Sequence, residues 1–260
     1  MSHFDAVAED FDRFRALPAG VPAAIRDAMW EALGIAGGGR VLDLGAGTGR
    51  VGAAFVAAGD AYIGVDPSAG MLARFAAKAA TRGGSAPTPA LVQADGLALP
   101  FPGAAFDAVL LVQVLSGAPR WRGLLAEARR VLRPDGGLVL GKATGTPEGV
   151  DARMRAQLSL ILAELGADAH PRGAHREDAR AWLAPLARRM TEVTAARWEA
   201  ARSPRDFLTR HATGARFAAL PRPIQDEALR RLAEWAVTSF GALDAPQIEP
   251  HAFVLDVCVF

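Results

Sequence analysis

The stretch that most constrains this chain is Val41-Leu-Asp-Leu-Gly-Ala-Gly-Thr-Gly-Arg50. An apolar run (Val41, Leu42, Leu44) ends in a glycine-rich turn, and an amphipathic helical pattern follows from Gly49 to Ala58. Strand, glycine turn and helix in that order form a nucleotide-type cradle. The glycines let the backbone turn tightly and approach a ligand, and the helix N-terminus faces the same spot.

The same alternation continues downstream. Strands are expected at residues 40–44, 61–65, 90–93, 106–112 and 138–141. Helices are expected at 49–58, at 68–81 with Ser68 as cap, and at 120–132, and Pro134-Asp-Gly-Gly137 reads as a turn. Upstream, residues 4–17 and 22–33 read as helices. Such alternation predicts an α/β fold, Rossmann-like and doubly wound, with a mostly parallel sheet and right-handed crossovers. Ligands of these sheets lie beyond the carboxyl ends of the strands. Asp43, the Gly45–Gly49 turn, Asp66, Asp95 and Gln113 all fall at those ends.

After Lys142 the alternation stops. Helices are expected at 150–166, 176–190, 204–211 and 224–240, and strands at 191–198 and 251–260. One domain over residues 1–260 is the expectation: a cofactor-binding core at 4–145, helical substrate-roof insertions at 150–190 and 204–240, and two C-terminal strands. The 29 basic and 28 acidic residues nearly cancel, so no general attraction to nucleic acid or anionic membrane is expected. Cys258 is the only cysteine, which fits a reducing compartment. The acidic N-terminus lacks a signal pattern, and no apolar run is long enough to span a bilayer, so a cytoplasmic protein is expected.

Two glycine registers compete for the ligand. Gly47-Thr-Gly49-Arg-Val-Gly52 matches a dinucleotide fingerprint, with Asp66 placed for a ribose. The other register is Asp43-Leu-Gly45-Ala-Gly47-Thr-Gly49. The acid discriminates: a carboxylate at the turn repels a pyrophosphate and attracts a cationic ligand such as S-adenosylmethionine. Asp66 can then accept both ribose hydroxyls, and Asp95 an adenine amino group, between apolar walls from Met71 and Leu97. Asp43 can equally be a structural cap on the turn amides.

Here the sequence resembles the class I S-adenosylmethionine-dependent methyltransferases, in particular the small-molecule type 11 group, ubiquinone/menaquinone-biosynthesis-like. The matching segments are Val41–Arg50, Tyr62–Met71, Gln93–Phe101, Phe106–Leu115 and Arg129-Arg-Val-Leu-Arg-Pro-Asp-Gly-Gly137, with 4–12 resembling the family's leading helix. The resemblance implies a seven-stranded sheet with an antiparallel last strand. It carries Gly45, Ala46, Gly47, Gly49 and Gln113 over to the cofactor's methionine part, Asp66 and Pro67 to its ribose, and Asp95 and Gly96 to adenine. The leading helix of the family commonly has a tyrosine before an aspartate; here it is Phe11-Asp12, which keeps an aromatic lid and loses a hydroxyl.

Methyl transfer is an in-line displacement at a carbon activated by the sulfonium, so positioning does much of the work and a base is optional. Ser116, His170 and His175 are the weak catalytic candidates; a turn residue and two solvated loop histidines are the plainer readings. His211 sits in an insert, and His251 reads as structural. Trp121, Trp182, Trp198 and Trp235 either line an apolar pocket or pack the core. No metal-ligand spacing is present. The stretch after strand four, Gln113-Val-Leu-Ser116-Gly117, lacks the Asn/Asp-Pro-Pro-aromatic pattern of nucleic-acid amino-methyltransferases, so no DNA partner is expected. The expected function is methyl transfer to a small apolar or aromatic molecule, leaving S-adenosylhomocysteine. The alternative is a non-catalytic module that binds S-adenosylmethionine, with a nicotinamide dehydrogenase a distant third.

Overall fold

The computed structural model describes residues 12, 15–81, 88–167, 176–212, 217 and 220–260. The chain forms two compact units, one of Met1–Ala143, Arg172–Ala196 and Phe253–Phe260, the other of Thr144–Pro171 and Arg197–Ala252. The strands are β1 (Arg40–Leu44), β2 (Ala61–Asp66), β3 (Ala90–Gln93), β4 (Phe106–Val112), β5 (Leu132–Gly145), β6 (Arg189–Arg202) and β7 (Gln247–Val259). They make one seven-stranded sheet in the order β3-β2-β1-β4-β5-β7-β6.

Pairing is parallel from β3 through β5. The Phe260 amide donates to the Gly136 carbonyl, and Thr144 Oγ1 to the Ala252 carbonyl. Rising numbers on β5 thus meet falling numbers on β7, and that pair is antiparallel, as the sequence predicts. The central strand β1 is buried over Val41–Leu44, the pattern of a strand covered on both faces.

The helices are α1 (Val21–Leu33), α2 (Gly52–Ala57), α3 (Ala69–Thr81), α4 (Trp121–Val131), α5 (Val150–Glu164), α6 (Arg176–Leu183), α7 (Pro204–Ala212) and α8 (Arg222–Phe240). On α4, Trp121, Leu124, Leu125, Ala128 and Val131 are buried, one apolar face at helical spacing. They join Leu42, Phe106, Val109 and Leu138 in the core of the first unit. The second unit has its own core, where Val150, Met154, Leu158 and Ile161 of α5 meet Phe207 of α7 and Ala228, Leu232 and Ala236 of α8.

Several boundaries differ from the sequence expectation. The helix at 176–190 stops at Leu183, and β6 begins at Arg189. Pro185 explains this: it lacks an amide proton, and it disfavours helical geometry at Ala184. The same helix lies in the first unit, with Ala179 and Leu183 in its core and Trp182 edge-on to Trp121 at 6.2 Å. Residues 150–190 are therefore divided between the two units. Finally, Pro134–Gly137 is no free turn but an interruption within β5. Phe106 pairs with Leu132 while Ala108 pairs with Gly137, so extra residues bulge out and Asp135 takes φ 65°. The helix expected at 4–17 falls almost wholly outside the described residues.

The bulge predicts opposite outcomes at adjacent positions. Asp135 is exposed and already in the left-handed region, so Asp135→Gly leaves stability within about 0.5 kcal/mol. A Cβ on buried Gly136 would lie 2.8 Å from the Arg133 carbonyl oxygen. Gly136→Ala therefore costs about 1–3 kcal/mol by urea unfolding.

Candidate functional site

The candidate site is built in the first unit on the ends of β1, β2 and β4. At the end of β2, the buried Asp66 accepts the Gly47 amide on Oδ2 and the Ser68 amide on Oδ1, both at 2.9 Å. One carboxylate thus holds the glycine turn against the entry to α3. Ser68 Oγ then accepts the Met71 amide at 3.2 Å, the cap expected from sequence. Met71 is buried under that first turn, Pro67 is exposed, and Ala46 is buried in the glycine turn.

The three turn glycines answer different demands. Gly45, Gly47 and Gly49 all have positive φ. A Cβ at Gly45 would strike Val114 Cγ2 at 2.5 Å, and one at Gly49 would strike Phe75 at 2.2 Å. At Gly47 a Cβ would meet nothing nearer than the Gly45 carbonyl oxygen at 4.0 Å. The turn is thus locked on two sides and bare at its middle, which leaves backbone open to a ligand. The left-handed Gly49 is also why α2 begins at Gly52 rather than where the turn ends.

Asp43 lies beneath the turn. Its carboxylate is buried and accepts the Tyr62 hydroxyl at 2.8 Å. Burial drives its pKa up to about 7, the phenol hydrogen bond opposes this, and the nearby Asp66 adds to it. Burial, with the Asp43 charge, holds the Tyr62 phenol well above its ordinary value. Gly52 makes room for that phenol, since a Cβ there would sit 2.1 Å from the Tyr62 hydroxyl. The third glycine of the dinucleotide-like register is thus accounted for by tyrosine packing.

Sequence reasoning missed the polar ties around the rim. Arg50 donates to the Arg15 carbonyl at 2.8 Å and to Gln113 Oε1 at 2.6 Å. Burial and the neighbouring Arg15 push its pKa down to about 10, which leaves it charged at neutral pH. Gln113 itself stands at φ 57°, a rare conformation for a residue with a side chain and one that clusters at functional sites. Thr48 Oγ1 donates to Asp12 at 2.5 Å and Lys78 Nζ to Asp12 at 2.7 Å, joining the N-terminal segment to the turn and to α3. The Thr-Gly-Arg run and the helix that carries Lys78 hinted at none of these, because the partners are 35 or more residues away.

Beyond β3, Asp95 is exposed and accepts the Leu97 amide at 2.9 Å, which fixes the turn around Gly96. Ser116 is exposed in a 3₁₀ turn, Leu115–Gly117. Phe11, His170 and His175 lie outside the described residues. His211 is in the second unit, stacked on Phe207 at 4.9 Å. Gly49 and Arg50 also line a cavity of about 360 Å³ with Leu17, Pro18, Ala53 and Phe75. None of Asp43, Asp66, Asp95 or Gln113 lines it, so the donor set at the strand ends, not cavity size, locates the candidate site.

An open α/β sheet with an acidic rim and a bare glycine turn defines a Rossmann-like binder of a cationic nucleoside. A family model described as a methyltransferase domain matches residues 42–140. The chain is 31% identical over 189 residues to a demethylmenaquinone methyltransferase of Clavibacter sepedonicus, covering 69% of this chain and 74% of the relative. A demethylmenaquinone methyltransferase of Tropheryma whipplei is 34% identical over 167 residues, covering 62% of this chain and 66% of the relative. That second match spans just under two thirds of the relative's length. The solved YcgJ protein of Bacillus subtilis shares the fold, with a TM-score of 0.59 at 18% identity, covering 90% of this chain and 98% of that one. The chain belongs to the class I S-adenosylmethionine-dependent methyltransferase family, in its ubiquinone/menaquinone-biosynthesis-like group.

Asp43 generates a pH prediction. The fold holds its proton up to about pH 7, whereas an unfolded aspartate releases it near 4. The folded state binds the extra proton across that window, so this group makes stability fall as pH rises from about 4 to about 7 and adds no slope above it. Asp43→Asn removes that decline. At pH 8 it raises unfolding free energy by an amount on the order of 1–3 kcal/mol, and at pH 4 by far less, measured by urea titration at both pH values.

Proposed function

We propose that this chain transfers the methyl group of S-adenosylmethionine to a small aromatic acceptor. The observation that carries the reading is the rim itself: the buried Asp66 carboxylate beside the bare Gly47 backbone. The residues fit the family's cofactor. The Asp66 oxygens accept the Gly47 and Ser68 amides, which aims the carboxylate at the end of β2, where it is proposed to take the ribose hydroxyls. Asp95 and Gly96 suit the adenine edge, and Gly45–Gly49 with Gln113 the methionine end. Arg50 holds the Gln113 side chain in place, so the amide enters the site already oriented.

The bound cofactor supplies a methyl carbon already activated by its sulfonium. The protein's share is to hold the acceptor in line and to exclude water. The helices of the second unit, α5, α7 and α8, are proposed to set which acceptor is taken. The relatives named as demethylmenaquinone methyltransferases point to a hydroxylated, quinol-like aromatic acceptor. No helix among the described residues is long and apolar enough to cross a membrane. With the near-neutral charge, that favours a cytoplasmic enzyme on small molecules over one acting on DNA.

Calorimetry with S-adenosylmethionine and S-adenosylhomocysteine tests this. Both bind, and Asp66→Ala weakens each by about 10–100-fold, the value of hydrogen bonds to a charged group. Ser116→Ala changes binding little. Equal losses in the two variants would overturn the ribose assignment. Binding without turnover over a phenol and naphthol panel would favour the non-catalytic module.

A further inference from the structure

A second recess lies wholly within the first unit, a depression of about 540 Å³ lined by Pro134, Phe260 and four arginines, Arg129, Arg130, Arg133 and Arg188. Arg133 and Pro134 belong to the β5 bulge, and Phe260 follows β7. The depression thus sits where the parallel strands begin, opposite the ends that carry Asp66 and Gln113. The Phe260 amide donates to the Gly136 carbonyl at 3.4 Å and the Arg188 amide to the Val259 carbonyl at 2.8 Å, which seats both residues beside the bulge.

Three of the four arginines have a carboxylate. Arg130 pairs with Glu127 at 2.8 Å and also donates to the Leu99 and Phe101 carbonyls. Arg133 meets Asp107 at 2.5 Å, and Arg188 meets Asp135 and the Phe260 carbonyl. Arg129 has no carboxylate among the described residues. Its guanidinium lies over the Phe260 ring, 4.5 Å from the centroid, and its Nε is buried without an acceptor. The plain role of a cation in the last turn of a helix is to meet that helix's carbonyls. Here the carbonyls of Arg129, Arg130 and Val131 are met by the Leu132, Ala104 and Ala105 amides. The ring attracts the charge, but it does not replace an oxygen acceptor. A charged donor left unmet in a protein is destabilising, so Arg129 calls for an acceptor from outside the chain.

An oxyanion supplies one. Among the described residues the four guanidinium groups meet three carboxylates, which leaves one positive charge in excess at the depression. The Arg188–Asp135 pair is 63% and 73% exposed, so it contributes little and opens readily. A phosphate group has three outer oxygens and can accept from two guanidinium forks at once. Pro134 and Phe260 add an apolar wall, and the volume is that of a small-molecule pocket.

We propose that this depression binds the phosphate group of a soluble organic phosphate ester, with Arg129 and Arg188 as its principal donors and Pro134 and Phe260 beside the ester group. The site does not rest on the proposed methyl transfer.

The test titrates the full chain with phenyl phosphate at about pH 7.5, where the ester is mostly a dianion. Calorimetry gives saturable binding at one site. In nitrogen-15 spectra, the Arg129 Nε–H signal, identified by its absence from Arg129→Met, shifts as the site fills. Arg129→Met keeps an unbranched apolar stem against Phe260 and weakens binding by about tenfold or more. Arg188→Gln, at an exposed position, weakens it by roughly three- to tenfold. Arg230→Gln, which removes an exposed arginine of α8 paired with Glu227 and Glu234, leaves the affinity unchanged. A cooperative thermal transition shows that each variant is folded. No saturable binding, a loss in Arg230→Gln equal to that in Arg129→Met, or a stationary Arg129 signal overturns the proposal. Capture of the chain by phosphatidylglycerol vesicles without binding of phenyl phosphate also overturns it, and assigns the arginines to a membrane surface.

Discussion

The Asp66 carboxylate is the tie on which the site depends. It ends β2, and its two oxygens take backbone amides from the glycine turn and from the start of α3. Hydrogen bonds to a charged group are worth about 1.5–3 kcal/mol each, more than their neutral counterparts. That tie sets the turn's height above the sheet. It also keeps a negative charge at the rim, suited to accept ribose hydroxyls. Asp43 lies deeper, shares its burden with Tyr62, and senses the Asp66 charge directly. The two acids are therefore unlike in role: one is a bracket for two backbone amides, the other a buried group near its titration point.

Around that bracket the rim is braced from far along the chain. Asp12 takes Thr48 and Lys78, while Arg50 spans from the Arg15 carbonyl to Gln113. Gln113 pays a conformational cost at φ 57°, and the Arg50 contact is what the structure offers to hold it there. The chemistry of the family needs geometry more than acid–base groups, and these braces are geometric.

Much of this was legible in the chain. Strands β1, β3 and β4 begin and end where apolar runs and glycine punctuation place them, and the rim acids fall at strand ends. What escaped had long-range causes. The β5 bulge arises from pairing with β4 and reads locally as a turn. The end of α6 is the exception, because its cause is local: the missing donor of Pro185 outweighs an otherwise helical pattern. Asp43 was open between ligand and structure because its partner, Tyr62, lies on the neighbouring strand. Phe11, His170 and His175 lie outside the described residues, so their roles stay as the resemblance and the loops suggested.

Gly52 and Tyr62 carry a consequence of another kind. The hydroxyl that reaches Asp43 occupies the volume where any side chain on residue 52 would begin. The two positions are therefore not free to vary one at a time. A larger residue at 52 is compatible only with a shorter ring at 62, and that exchange strips Asp43 of its donor. Sequence change in this corner must pass through all three positions together, so the first turn of α2 is tied through the Tyr62 hydroxyl to a buried carboxyl on β1.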